Sequence, residues 1–200
     1  DLIQFGQTSC DRLNVKHVVT KDDLNNLEVM SFSTFGRACQ VPEPLNDDFV
    51  KICLTLFAER TTPPNIFDGI GEVIKYFSAN HPLAIVTTNS SQNVNAFLAQ
   101  HGLTEFIHAV YGVDTAGTKA QKILMARNQL LKNREDSVFM IGDSLSDIRS
   151  AKEASVTSIA VTWGHQSLEN LLRGNPDYVV ESPHQIIKII EQSDLSPTLS

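Results

Sequence analysis

The chain has 200 residues, 42% of them hydrophobic and 20% charged, with a formal net charge of −7. That size suits one large domain, or a core with a small accessory unit. The acidic balance, with no run of Lys or Arg, argues against a nucleic-acid-binding surface. Apolar stretches are strand-sized, so no transmembrane helix and no membrane partner are expected. Residues 1–6 lack the basic start and long apolar run of a signal peptide. Cys10, Cys39 and Cys53 have no metal-ligand spacing and read as reduced, packed thiols of a cytoplasmic protein.

Up to residue 63 the pattern is helical. Segments 1–14, 20–29, 31–39 and 46–59 each suit a helix, the last with Phe49, Ile52, Cys53, Leu56 and Phe57 on one face. Asn46-Asp47-Asp48 reads as its capped start, and Val41-Pro42-Glu43-Pro44 as a break before it. His17-Val18-Val19 is too brief and isolated to count as a strand.

From Pro64 the chain alternates helix and strand. Helices are expected over 71–80, 92–101, 119–132, 148–154 and 183–190, with Gly102 at the C′ position of the second. Strands are expected over 83–86, 109–112, 138–141, 157–161 and 178–180. Such alternation predicts an α/β fold, a Rossmann-like parallel sheet with helices on both faces. The expected division is a helical unit over 1–63, an α/β core over 64–192 and a fraying tail over 193–200.

The most informative stretch is Val138-Phe139-Met140-Ile141-Gly142-Asp143-Ser144-Leu145-Ser146-Asp147. Four apolar residues predict a buried strand, and Gly142 a sharp turn at its end. Asp143 then stands at the carboxyl edge of the sheet, where open α/β folds bind ligands. Asp147 falls in the first turn of the next helix. Two carboxylates with the Ser144 hydroxyl make an oxygen-rich set suited to Mg²⁺. Parallel strands bring two further groups to the same edge: Thr87-Thr88-Asn89-Ser90 and Lys119. A hydroxyl with backbone N–H groups, a lysine and an acidic pair together suit a phosphate. Asn89 also suits a helix cap, and Lys122 is the alternative to Lys119. His165, in the loop Thr162-Trp163-Gly164-His165, could border the same site. Gly69-Ile70-Gly71 lacks the third glycine and preceding strand of a dinucleotide fingerprint.

The ordered set resembles the haloacid dehalogenase superfamily, in particular its phosphoglycolate-phosphatase-like hydrolases. Leu83 to Thr87 match the family's second motif, Lys119 in Gly117-Thr118-Lys119-Ala120-Gln121-Lys122 the third, and Gly142-Asp143 with Asp147 the fourth. Asn65 to Ile70 and residues 151–165 are also family-like. The resemblance implies a Mg²⁺-dependent phosphatase for a small phosphorylated metabolite, with 1–63 as a small helical cap. Thr87 and Lys119 would be catalytic, Thr88 and Asn89 would bind substrate, and Asp143, Ser144 and Asp147 would hold the metal. The protein would be a monomer or homodimer.

The family's first motif, Asp-x-Asp-x-Thr at the end of the first strand, supplies the nucleophile of an aspartyl-phosphate intermediate and an acid/base. It is absent from these 200 residues. A central strand would be missing with it, exposing two ladder edges. Either an upstream segment of about 15 residues, one strand and its turn, precedes Asp1, or the protein is a non-catalytic binding module, or His17-Val18-Val19 or a partner chain fills the gap. The first is expected, because the other motifs are intact. A dehalogenase or phosphomutase is a further alternative.

Overall fold

The computed structural model describes residues 2–25, 27, 30–59, 64–131 and 137–194. Helices α1 (Leu2–Arg12), α2 (Lys21–Asn25), α3 (Phe32–Ala38) and α4 (Glu43–Ala58) come first. They enclose an apolar cluster of their own, with Cys10, Phe35, Cys39, Phe49 and Cys53 fully buried. Phe35 meets Phe49 edge to face, with ring centroids 5.8 Å apart. Burial pushes all three thiols up, away from the reactive thiolate form.

Helix α4 begins at Glu43, not at Asn46. Pro44 lies within its first turn, where its missing N–H has no intrahelical partner to lose. Asn46 is instead buried and donates to Ser33 O and Ser33 Oγ. Positions 26, 28 and 29 of the expected 20–29 helix, Asp1, and the expected boundary at 60–63 lie outside the described residues.

The remainder alternates as expected: α5 (Ile70–Ser78), β1 (Ala84–Val86), α6 (Ser91–Gln100), β2 (Ala109–Tyr111), α7 (Lys119–Leu130), β3 (Phe139–Gly142), α8 (Leu145–Glu153), β4 (Thr157–Val161), α9 (Leu168–Leu172), β5 (Tyr178–Val180) and α10 (Pro183–Asp194). A short 3₁₀ turn over Thr104–Phe106 and the five-residue α9 were not expected. Helix α10 runs four residues beyond its expected end, and 195–200 lie outside the described residues. Gly102 takes φ +62°, as a helix C′ residue does.

All strand pairings are parallel. Strand β4 shows why helices cover both faces. Its Ile159 and Val161 pack with Val73 and Phe77 of α5 and Ile186 and Ile190 of α10. Ala160, pointing the other way, packs with Ile148 of α8 and Leu171 of α9. None of the described helices is long and apolar enough to cross a membrane.

The pairing falls into two ladders, β1–β2 and β3–β4–β5. Among the described residues no strand pairs with the remaining edge of β1 or of β3. Between them lies a cavity of about 470 Å³, lined by Leu83, Ala84 and Val86 on one side and Val138 to Ile141 on the other. Ile141, in a strand that reads as buried, is 39% exposed. His17-Val18-Val19 does not fill this gap. Val19 is buried in the N-terminal cluster, its N–H donating to Gln7 Oε1, and Val18 is 78% exposed.

Candidate active site

A pocket of about 340 Å³ opens at the carboxyl ends of β1 and β3. Thr87, Thr88, Lys119, Gly142, Asp143, Ser144, Ser146, Asp147 and His165 line it, with Met30 from the N-terminal helices. Most of the predicted site residues therefore meet in one place.

Local sequence explains each position. Thr118 caps α7 with a reciprocal capping box to Gln121, which sets Lys119 at the first helical position. Lys119 Nζ donates to Asp147 Oδ1 at 2.6 Å, and both side chains are largely buried. Lys122 points elsewhere: its buried ammonium donates to Gly112 O at 2.7 Å. Of the two lysines left open by the sequence, Lys119 is the one that lines the pocket.

Ser144 caps α8. Its N–H and hydroxyl both donate to Asp147 Oδ2, at 3.1 and 2.6 Å, and its Oγ accepts from Asp147 N at 3.2 Å. Asp143 Oδ2 accepts from His165 N at 3.0 Å, and His165 Nδ1 lies 3.6 Å from the same oxygen. The buried Nε2 of His165 has no hydrogen-bond partner among the described residues.

Two glycines allow these approaches. A Cβ on Gly142 would stand 2.4 Å from Asp147 Cβ, and one on Gly164 would stand 2.1 Å from Asp143 Cβ. Gly142 is thus needed for side-chain clearance. Its φ is not positive, and the chain bends at residues 143 and 144, directly after it, as expected at the end of this strand.

On the β1 side, Thr87 Oγ1 accepts from Asn89 N at 3.1 Å, which leaves its proton free to donate. Asn89 is not part of the pocket lining. Its Oδ1 accepts from Ser90 N and Asn93 Nδ2, and its carbonyl from Val113 N. Sequence reasoning did not single out Met30 or Ser146. Met30 reaches the pocket only through the tertiary packing of the helical unit, which no local pattern encodes.

The oxygen donors match a hard cation. Among the described residues no group of three His, Cys, Asp or Glu side chains clusters to hold a metal, so the carboxylate pair stands without a third ligand of that kind. Mg²⁺ commonly binds through one or two carboxylates plus water and phosphate oxygens, and the pair fits that habit.

The described residues thus bring a lysine, a strand-end threonine and two carboxylates to one edge of a Rossmann-like parallel α/β sheet, the edge where such folds bind ligands. Residues 3–161 match the model of the haloacid dehalogenase-like hydrolases, and the chain belongs to that family. A phosphoglycolate phosphatase of Synechococcus elongatus is 28% identical over 131 residues, 64% of this chain and 60% of that protein. One from Photobacterium profundum is 33% identical over 133 residues, 64% of this chain and 57% of that protein. A pyrophosphatase of Listeria monocytogenes is 28% identical over 132 residues, 64% and 60%. The matched region spans about three fifths of the length of these relatives. A solved structure described as a predicted phosphatase from Clostridium acetobutylicum superposes with TM-score 0.78 at 22% identity, covering 95% of this chain and 90% of that one. A haloacid dehalogenase-like hydrolase from Streptococcus pneumoniae gives 0.75 at 19%, covering 94% and 89%. At these identities the superpositions speak for the fold.

Proposed function

We propose that this protein is a Mg²⁺-dependent phosphate-monoester hydrolase acting on a small phosphorylated metabolite through an aspartyl-phosphate. The observation that carries the reading is the convergence of Thr87, Lys119, Asp143 and Asp147 on one pocket at the end of the gap between β1 and β3. Asp143 and Asp147 would hold Mg²⁺, with Ser144 orienting Asp147. Bound there, the cation would offset the charge of the phosphate.

Thr87 Oγ would donate to a phosphate oxygen, with Thr88 beside it and Asn89 bracing the loop. The Lys119 ammonium would neutralise a second oxygen as a point charge. The nucleophilic carboxylate would stand at the carboxyl end of a strand filling the gap between β1 and β3, since that gap ends at the pocket. Residues 1–63 would act as a cap on the 64–192 core, excluding water and selecting the substrate. The names of the relatives make a short phosphorylated acid such as phosphoglycolate the first substrate to try.

The test is p-nitrophenyl phosphate turnover by the full-length protein, with and without Mg²⁺. Turnover is expected only with the metal. Asp143→Asn and Lys119→Met are each expected to lower kcat/KM by about 10²-fold or more, the scale of losing one charged stabiliser. Full-length protein that shows no Mg²⁺-dependent turnover of any phosphomonoester would overturn the reading.

A further inference from the structure

Gln166 follows the pocket-lining His165 and is only 4% exposed. Both ends of its amide are committed to backbone groups from distant parts of the chain. Its Oε1 accepts from Leu145 N at 2.6 Å, and its Nε2 donates to Leu27 O, 139 residues away. Leu145 is the first residue of α8, between the cap Ser144 and the acidic Asp147. Leu27 stands three residues before Met30, which lines the pocket. One helical turn beyond Gln166, Asn170 Nδ2 donates to Asn25 O. Two neighbouring amides therefore fasten Asn25 and Leu27 to the core, and one of them also grips the start of the acidic helix.

We propose that Gln166 is a positioning residue that couples the seating of the helical unit over the pocket to the geometry of the acidic loop, and that Gln166 and Asn170 together form the latch holding Leu27 and Asn25 in place. A carboxamide can accept from an N–H and donate to a C=O through one rigid plane. With Leu27 seated, that plane is fixed and so is the N–H of Leu145. With Leu27 lifted away, Nε2 loses its acceptor and the side chain is free to turn away from α8. Seating and loop order thus depend on each other, as linked equilibria must. The kinetic consequence rests on the phosphatase reading; the mechanical one does not.

Gln166→Glu separates the two halves of the contact. It keeps an oxygen for Leu145 N but sets a second oxygen against the Leu27 carbonyl. In the full-length protein without substrate, hydrogen exchange over residues 21–30 is expected to quicken about tenfold in Gln166→Glu, while β4 is unchanged. Asn170→Ala should act in the same direction and carries the test if Gln166→Glu does not fold. Unchanged exchange over 21–30 in a folded variant would overturn the proposal. So would uniform quickening throughout the chain, which a merely structural role predicts. In turnover assays, Gln166→Glu should raise KM several-fold with kcat nearly kept. Gln166→Leu, which lacks both hydrogen bonds, should lower kcat as well. If the protein hydrolyses no phosphomonoester, the exchange measurement alone decides.

Discussion

Two lysines three residues apart on one helix meet very different surroundings. Lys119 and Lys122 share a face of α7, and spacing alone could not choose between them. Burial and partner do: Lys119 faces a carboxylate in the pocket, whereas Lys122 holds the Gly112 carbonyl in the loop after β2. Lys122→Met would remove the ammonium's hydrogen bond to that carbonyl, which keeps only the one from Thr115 N, at a cost of about 1.5–3 kcal/mol, the range for a hydrogen bond to a charged group. Urea denaturation should show this loss, and KM for a phosphomonoester should change little. Thr87, Lys119, Asp143 and Asp147 were legible because each sits at a strand end or helix start that the local pattern marks. Met30 and Gln166 were not, because their roles come from contacts across more than a hundred residues.

At the scale of elements, strand and helix alternation was readable because β-branched runs and capping residues mark their own ends. The start of α4 was misjudged for a physical reason: proline is disruptive inside a helix but tolerated in its first turn. Asp177 shows how elements are tied by a single side chain. It accepts from Ser158 N and Oγ on β4, and pairs with Lys152 of α8 at 2.5 Å. Partial burial opposes ionisation of this carboxyl, but the Lys152 contact and the Ser158 hydrogen bonds outweigh it and hold it at about 2, below its ordinary 3.8. A carboxyl depressed in the folded state stabilises above its unfolded pKa and loses that contribution as pH falls through the folded value. The stabilisation should therefore be complete above about pH 4 and fade toward pH 2. Asp177→Asn should flatten this part of the profile, read as melting temperature from pH 5 to 2. Because the pair with Lys152 is more than a third exposed, salt should weaken the effect.

At the scale of the whole chain, the described strands form a sheet in two pieces. Strands β3, β4 and β5 share a continuous core with α5 and α10. Strands β1 and β2 hold each other, with α6 against β2. Helix α7 touches both sides, since Ala120 and Ile123 belong to a cluster that also takes in Val86 of β1, Met140 of β3 and Ala151 of α8. Residues 161 and 180, deep in the larger piece, should be the slowest to exchange amide protons. The β1–β2 ladder, three residues long, should exchange faster. Equal protection in both pieces would argue for a sheet closed across the gap.

The gap also bears on how the molecule assembles. Its walls come from residues 83–86 and 138–141, so any strand that occupies it contacts partners far along the chain on both sides. Such an insertion has a large loop-closure cost and brings high contact order. The two sheet pieces are built of contacts nearer in sequence and would form first, as separate cooperative units. Completing the sheet would then be a late, slow folding step, and until then the Leu83–Val86 and Val138–Ile141 edges would offer the ready templates for intermolecular strand pairing that favour aggregation over refolding.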